Sequence, residues 1–244
     1  MNKETRFLEE ISSNAHVALG TMQYDGWLLR FANGHTNRAN SVSAIYPSTI
    51  SFDIKVPYCE EIYKKANLPC VFKLTEEDVE LNEYLEARGY EVVTPTDVMI
   101  LDLKDKSFQK GTCAFSKEPT EEWLSAYFAF EEITDIAKQK TFRQMLSKVL
   151  VDTIYCSVIR DGEVVACASA AVEQGYMLLQ NVVVCPKYRG HGYGRAVCES
   201  LIAWAKENGA HHTYLQVVRE NAAAVNMYLK LGYGRVYTYW YMRK

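Results

Sequence analysis

Within this 244-residue sequence, the types and spacing that bear most directly on chemistry lie at residues 182–195, V-V-V-C-P-K-Y-R-G-H-G-Y-G-R. A β-branched run gives way to the alternating glycines Gly190, Gly192 and Gly194, and then to a helical pattern. Glycine lets a backbone turn tightly and bring its amides against a ligand. A helix start adds unsatisfied N–H donors and partial positive charge, so the segment suits a phosphate or pyrophosphate. Lys187, Arg189 and Arg195 contribute cations, and no acidic residue stands between Glu173 and Glu199. Because the whole chain has a formal charge of -3, any such anion site is local. Spacing excludes two other phosphate loops. G-x-G-x-x-G would need glycine where Arg195 stands, and the segment has no Gly-Lys pair for G-x-x-x-x-G-K-[ST]. For the glycines alone, a solvated turn between strand and helix is the plain alternative.

The flanking sequence must position this loop. Residues 156–159 and 164–172 flank Asp161-Gly162, which predicts a β-hairpin. A strand follows at 177–184, stopped by Pro186. From Gly194 the spacing becomes helical through Val197, Cys198, Leu201, Ile202 and Ala205, with Asn208-Gly209 as the stop. Residues 213–218 read as a strand. Asn221 is then a candidate N-cap for a short helix ending at Gly232, and residues 236–242 close the chain as a strand.

These motifs, in order, resemble the GCN5-related N-acetyltransferase (GNAT) superfamily. The resemblance covers residues 112–244 and rests on R-x-x-G-x-G at Arg189, Gly192 and Gly194, the preceding V-V-V strand, L-Q-V at 215–217, Asn221, and M-Y-L-K-L-G-Y ending at Tyr233. It implies an α/β (α+β) fold with a mixed central sheet whose central strands splay apart to hold acetyl-CoA as cosubstrate. The backbone of Val182 and Val184 would bind the pantetheine arm. Amides of Gly190, His191, Gly192, Tyr193, Gly194 and Arg195, with Arg189 beside them, would take the pyrophosphate. Asn221 would either contact the pantetheine or only cap its helix. Tyr228 stands where the family commonly has its general acid, and a phenol of pKa about 10 is protonated at neutral pH; its alternative is a core aromatic beside Tyr233. Where some members carry a carboxylate, this chain has Gln180 and Asn181, which cannot take a proton. The general base is therefore left open among Glu173, Glu131, Glu132 and Asp135, or the amine arrives neutral.

The N-terminal half has a helical start at 5–12, extended segments at 27–31 and 41–45 around G-H-T-N-R-A-N, helices at 58–66 and 78–87, and extended segments at 70–74 and 97–103. A Lys-, Ser- and Gly-rich stretch, 104–119, connects it to the second half, and 121–149 carries long helical patterning. N-E-Y-L-E-A-R-G-Y at 82–90 parallels N-M-Y-L-K-L-G-Y at 226–233, each after a helix and a strand. The parallel suggests a degenerate GNAT-like domain, 1–105, ahead of a catalytic domain, 112–244. The segment before its helix, S-F-D-I-K-V-P-Y-C-E-E, contains no glycine. Residues His35, Thr36, Asn37, Arg38, Asn40 and Ser41 would either line an acceptor cleft or form a solvated loop. The net charge argues against a nucleic-acid-binding surface, and no apolar stretch reaches membrane-span length. The 7 cysteines show no CxxC or metal spacing, so no metal site and a reducing, cytoplasmic setting are expected. The expected activity is transfer of acetyl from acetyl-CoA to the primary amine of a small molecule, by a monomer or homodimer. The alternatives are a protein or peptide N-acetyltransferase and a catalytically silent acyl-CoA sensor.

Overall fold

The computed structural model describes residues 1–244. Asn2 caps α1 (Lys3–Ala15), its side chain accepting from the Thr5 amide. Asp25 and Gly26 then turn a hairpin between β1 (Gly20–Tyr24) and β2 (Trp27–Phe31), both at positive φ as a two-residue turn demands. The first half continues through β3 (Val42–Ala44), α2 (Phe52–Lys65), β4 (Phe72–Thr75), α3 (Val79–Ala87) and β5 (Glu91–Asp102). The second half comprises β6 (Cys113–Ser116), α4 (Glu121–Phe130), α5 (Ile136–Leu146), β7 (Asp152–Arg160), β8 (Glu163–Glu173), β9 (Tyr176–Val184), α6 (Tyr193–Glu207), β10 (His212–Val218), α7 (Ala222–Leu231) and β11 (Gly234–Arg243).

Element order repeats: hairpin, strand, helix, strand, helix, strand runs from 20 to 102 and again from 152 to 243. In each run the third and fourth strands pair in parallel, β3 with β4 and β9 with β10. The last strands are exchanged. β5 leaves its own half to pair antiparallel with β10, and β11 pairs antiparallel with β4. β5 and β11 also pair with each other. All 11 strands thus form one sheet, in the order β1-β2-β3-β4-β11-β5-β10-β9-β8-β7-β6. At the seam Asp97 on β5 accepts from Arg219 and from Thr238 on β11. Buried Lys73 on β4 pairs with Glu9 of α1, which also accepts from Tyr237 on β11 at 2.8 Å.

The helix α6 buries Val197, Cys198, Leu201, Ile202 and Ala205 against β7, β8 and β9, the face its spacing foretells. On the other face of the sheet α4 inserts Trp123, 1% exposed, whose indole N–H donates to the Ala168 carbonyl at 3.1 Å. The helical patterning at 121–149 is two helices, because residues 131–135 turn and Asp135 recaps the chain through the amides of Ala137 and Lys138. Helix α2 begins before the expected residue 58, running through Pro57. Two strands, β1 and β6, were not expected from sequence, and β5 begins at Glu91 rather than 97.

Candidate active site

Pairing of β9 with β10 stops at Leu179–Leu215. Immediately beyond it Asn181 adopts φ 56°, and the β8–β9 register shifts at that point. A bulge of this kind bends its strand. Here it carries Val182–Val184 away from β10 and opens a wedge in the sheet. The Asn181 side chain donates to Ser169 Oγ at 2.8 Å and so holds the bulge.

One mouth of the wedge is a cavity of about 720 Å³. Val182, Val184, Arg189, Gly190, Gly192, Tyr193, Gly194, Arg195 and Asn221 all line it. Gly192 is the N-cap of α6 at φ 82°, and Gly190 lies at φ 80°, so both need the left-handed conformation that glycine alone adopts cheaply. The backbone amides of residues 190–195 donate to no carbonyl or side chain within the protein. Space beyond Gly190 and Gly192 is open, whereas a side chain on Gly194 would press on Val184 and Met227. Open amides at the start of a 15-residue helix are an arrangement that suits an anion. His191 does not line this cavity; its Nδ1 pairs with the Arg189 carbonyl at 2.9 Å.

The other mouth is a cavity of about 400 Å³, walled by β9 and β10 and, from the first half, by His16, Thr36, Asn37, Arg38, Thr94 and Thr96. Six residues line both cavities: Glu131, Val182, Val183, Asn221, Ala224 and Tyr228. The two spaces therefore meet at the splay. Tyr228 is 6% exposed, stacks edge-on to Tyr233 at 5.9 Å, and has no hydrogen bond to the protein through its hydroxyl. Burial pushes its phenol well above the ordinary range, with Cys198 and Tyr233 adding to the effect. Asn221 caps α7, accepting from the Ala224 amide at 3.2 Å.

Of the carboxylates raised as bases, only Glu131 lines both cavities. The residue as a whole is exposed, yet desolvation of its carboxyl raises its pKa, while Arg189 pulls it down. Glu173 is engaged by Asn14, and Asp135 caps α5. The polar segment 35–41 is an ordered wall rather than a solvated loop. The Asn40 side chain accepts from the amides of Ala32 and Gly34 and donates to the carbonyls of His35 and Thr36. That wall was only half legible beforehand, because its partners, Leu178–Val183 and Tyr239, lie far away in sequence.

The corresponding loop of the first half, 47–51, is closed from within. The Asp25 carboxylate of the hairpin turn accepts from the Thr49 and Ile50 amides and from Ser48 and Thr49 hydroxyls. Backbone carbonyls of Tyr46 and Pro47 fill the space that a side chain on Gly26 would need. Fully buried Lys55 neutralises the carboxylate at 3.1 Å. An internal anion thus holds the Thr49 and Ile50 amides ahead of α2, whereas those of 190–195 stand free.

Comparison with known proteins agrees with this architecture. Residues 3–242 match the family described as "Probable histone acetyltransferase Rv0428c C-terminal". The "Uncharacterized N-acetyltransferase YobR" of Bacillus subtilis is 27% identical, with 99% of each chain covered. Among solved structures, a GCN5-related N-acetyltransferase from Kribbella flavida shares the fold at a TM-score of 0.71 and 17% identity, covering 98% of this chain and 95% of the other. A "Tandem GNAT protein from the clavulanic acid biosynthesis pathway" does so at 0.70 and 12%, covering 97% and 87%. No helix of this chain is long and apolar enough to cross a membrane. The chain belongs to the acetyltransferase family matched across residues 3–242, and its fold is that of the GNAT N-acetyltransferases.

Proposed function

We propose that the chain binds one acetyl-CoA in the 720 Å³ cavity of its C-terminal half and transfers the acetyl group to the primary amine of a small molecule in the 400 Å³ cavity. The observation that carries this reading is their junction, where Tyr228 and Glu131 both line the two spaces. A cavity of that volume, walled by both halves of the chain, suits a small ligand. That supports a small-molecule acceptor over the protein acceptor in the matched family's description. The free amides of 190–195 take the pyrophosphate, and Val182 and Val184 flank the pantetheine arm. The first half is a degenerate copy whose own cradle is occupied by Asp25.

In this mechanism Glu131, through water, accepts a proton from the acceptor's ammonium group. The freed amine attacks the thioester carbon, forming the C–N bond as the C–S bond breaks. Tyr228 donates its phenolic proton to the departing thiolate and is reprotonated from solvent, to which the nitrogen's second proton is lost. The 7 free thiols fit a reducing, cytoplasmic setting. Titration calorimetry with acetyl-CoA, followed by thiol release across a panel of amines, tests the reading. One site per chain and amine-dependent release are expected; two sites, or binding with no amine-dependent release, would contradict it.

A further inference from the structure

Arg38 lines the acceptor-side cavity, and its Nε is buried without any hydrogen-bond partner. The groups around the guanidinium are the phenols of Tyr239, Tyr241 and Tyr127, with Tyr239 also in hydrogen-bonding reach, rather than carboxylates. Interior guanidiniums ordinarily find acceptors, as Arg30 does by donating to the carbonyls of Ser13, His16 and Arg38. That same Arg30 clamp fixes the backbone of Arg38 at 2.8 Å, and the Asn40 bonds fix the turn leading to it. Arg38 is therefore anchored through its backbone and left without a carboxylate partner.

The cavity also contains the converse, an acceptor with no donor. Gln180 donates through Nε2 to the Ala15 carbonyl at 3.5 Å, which leaves its Oε1 buried and unsatisfied. His16, which faces the same space, is pushed well below its ordinary pKa by burial and by Arg38, so it adds no second charge at neutral pH. A fixed cation lacking an anion and an amide oxygen lacking a donor describe the complement of one ligand.

We infer that the acceptor is a small primary amine carrying an anionic group, a carboxylate or a phosphate, with Arg38 binding the anion and Gln180 Oε1 receiving an N–H of the amine. This rests on the reading of the 400 Å³ cavity as the acceptor site. Guanidinium matches either anion through paired N–H donors. Arg38 is a substrate-binding residue contributed by the half of the chain that lacks the open cradle, which gives that half a part in selectivity.

The test compares amino acids with their carboxamides and decarboxylated amines, and aminoalkyl phosphates with the parent aminoalcohols, by thiol release. Anionic members of one series should exceed their neutral counterparts in kcat/KM by about tenfold or more, the loss expected for one charge-assisted contact. Whichever series shows this identifies the anion. Arg38→Gln should erase the preference and leave acetyl-CoA affinity unchanged, and Arg38→Lys should retain part of it. Neutral and anionic amines used equally by the wild type would overturn the inference, as would an Arg38→Gln protein that keeps the preference. Wild-type selectivity decides the matter even if the variants fail to fold. Acetyl-CoA binding with no amine of any kind acetylated would instead sink the proposed function itself.

Discussion

Replacing Gly192 by valine separates the cradle from the fold. In the protein, a Cβ at Gly192 meets nothing within 4 Å, so no packing is lost. The direct cost is the left-handed φ of 82°, on the order of 1–2 kcal/mol for a residue with a Cβ and somewhat more for a β-branched one. That is a fraction of an ordinary stability of about 5–15 kcal/mol, so the variant should stay folded. The added side chain projects into the open space before the free amides of 190–195. Losing one charge-assisted hydrogen bond to the pyrophosphate costs about 1.5–3 kcal/mol, or roughly 10- to 150-fold in affinity. Gly209→Val is the matched control: it lies past the other end of α6 at φ 86°, with nothing within 4 Å of its Cβ. Calorimetry on both, with melting temperatures alongside, should show similar destabilisation but weakened acetyl-CoA binding only for Gly192→Val. A folded Gly192→Val protein with wild-type Kd, or an equal loss in Gly209→Val, would refute the assignment of the loop.

Tyr228→Phe should keep acetyl-CoA affinity and lower kcat by about 10²–10⁴-fold, the range for a general acid; turnover within about threefold of wild type would leave Tyr228 a core aromatic. Because burial raises the Glu131 pKa, the deprotonated base is lost as pH falls, starting above the ordinary carboxyl range. The acidic limb of kcat/KM should therefore lie above that range and vanish in Glu131→Gln; a limb that persists in the variant would assign it to another group. Asp25 is held below the ordinary range, first by the Ser48 hydroxyl and then by the Ile50 amide and Lys55, so its contribution is complete at neutral pH and lost as acid protonates it. Asp25→Asn should lower the melting temperature more at pH 7 than at about pH 3, a pH near its unperturbed value; equal shifts at both would show that the ion pair does not hold the loop closed.

The glycine loop and its flanking elements were readable because local rules govern them. Asp161-Gly162 makes the hairpin, Pro186 stops β9, the stripe from Val197 to Ala205 faces the core, and Gly232 ends α7 in the left-handed conformation. The repeated helix-Gly-Tyr endings at 82–90 and 226–233 do fall at equivalent places, with Gly89 and Gly232 both at positive φ. What escaped was long-range. Nothing near β5 or β11 announces that they exchange partners, because a strand's sequence states its period and not its neighbour. In sequence Asn181 shows only the lack of a carboxylate, although its conformation is what opens the wedge. Glu131 stood among several candidates until the break between α4 and α5 placed it at the junction of both cavities. Arg38 was one polar residue in a segment with two readings, and only the distant Tyr239 and Tyr241 reveal that it is enclosed without a carboxylate.

Acetyl transfer to an amine at the splay between β9 and β10 is the reaction that joins the two cavities. Its most direct test is a single reaction of the purified chain with acetyl-CoA and an amino acid or aminoalkyl phosphate, reading free thiol and N-acetylated product together by mass spectrometry. The two should appear in equal amounts, at a rate that depends on the amine. Thiol released without N-acetyl product, at a rate indifferent to the amine, would contradict it.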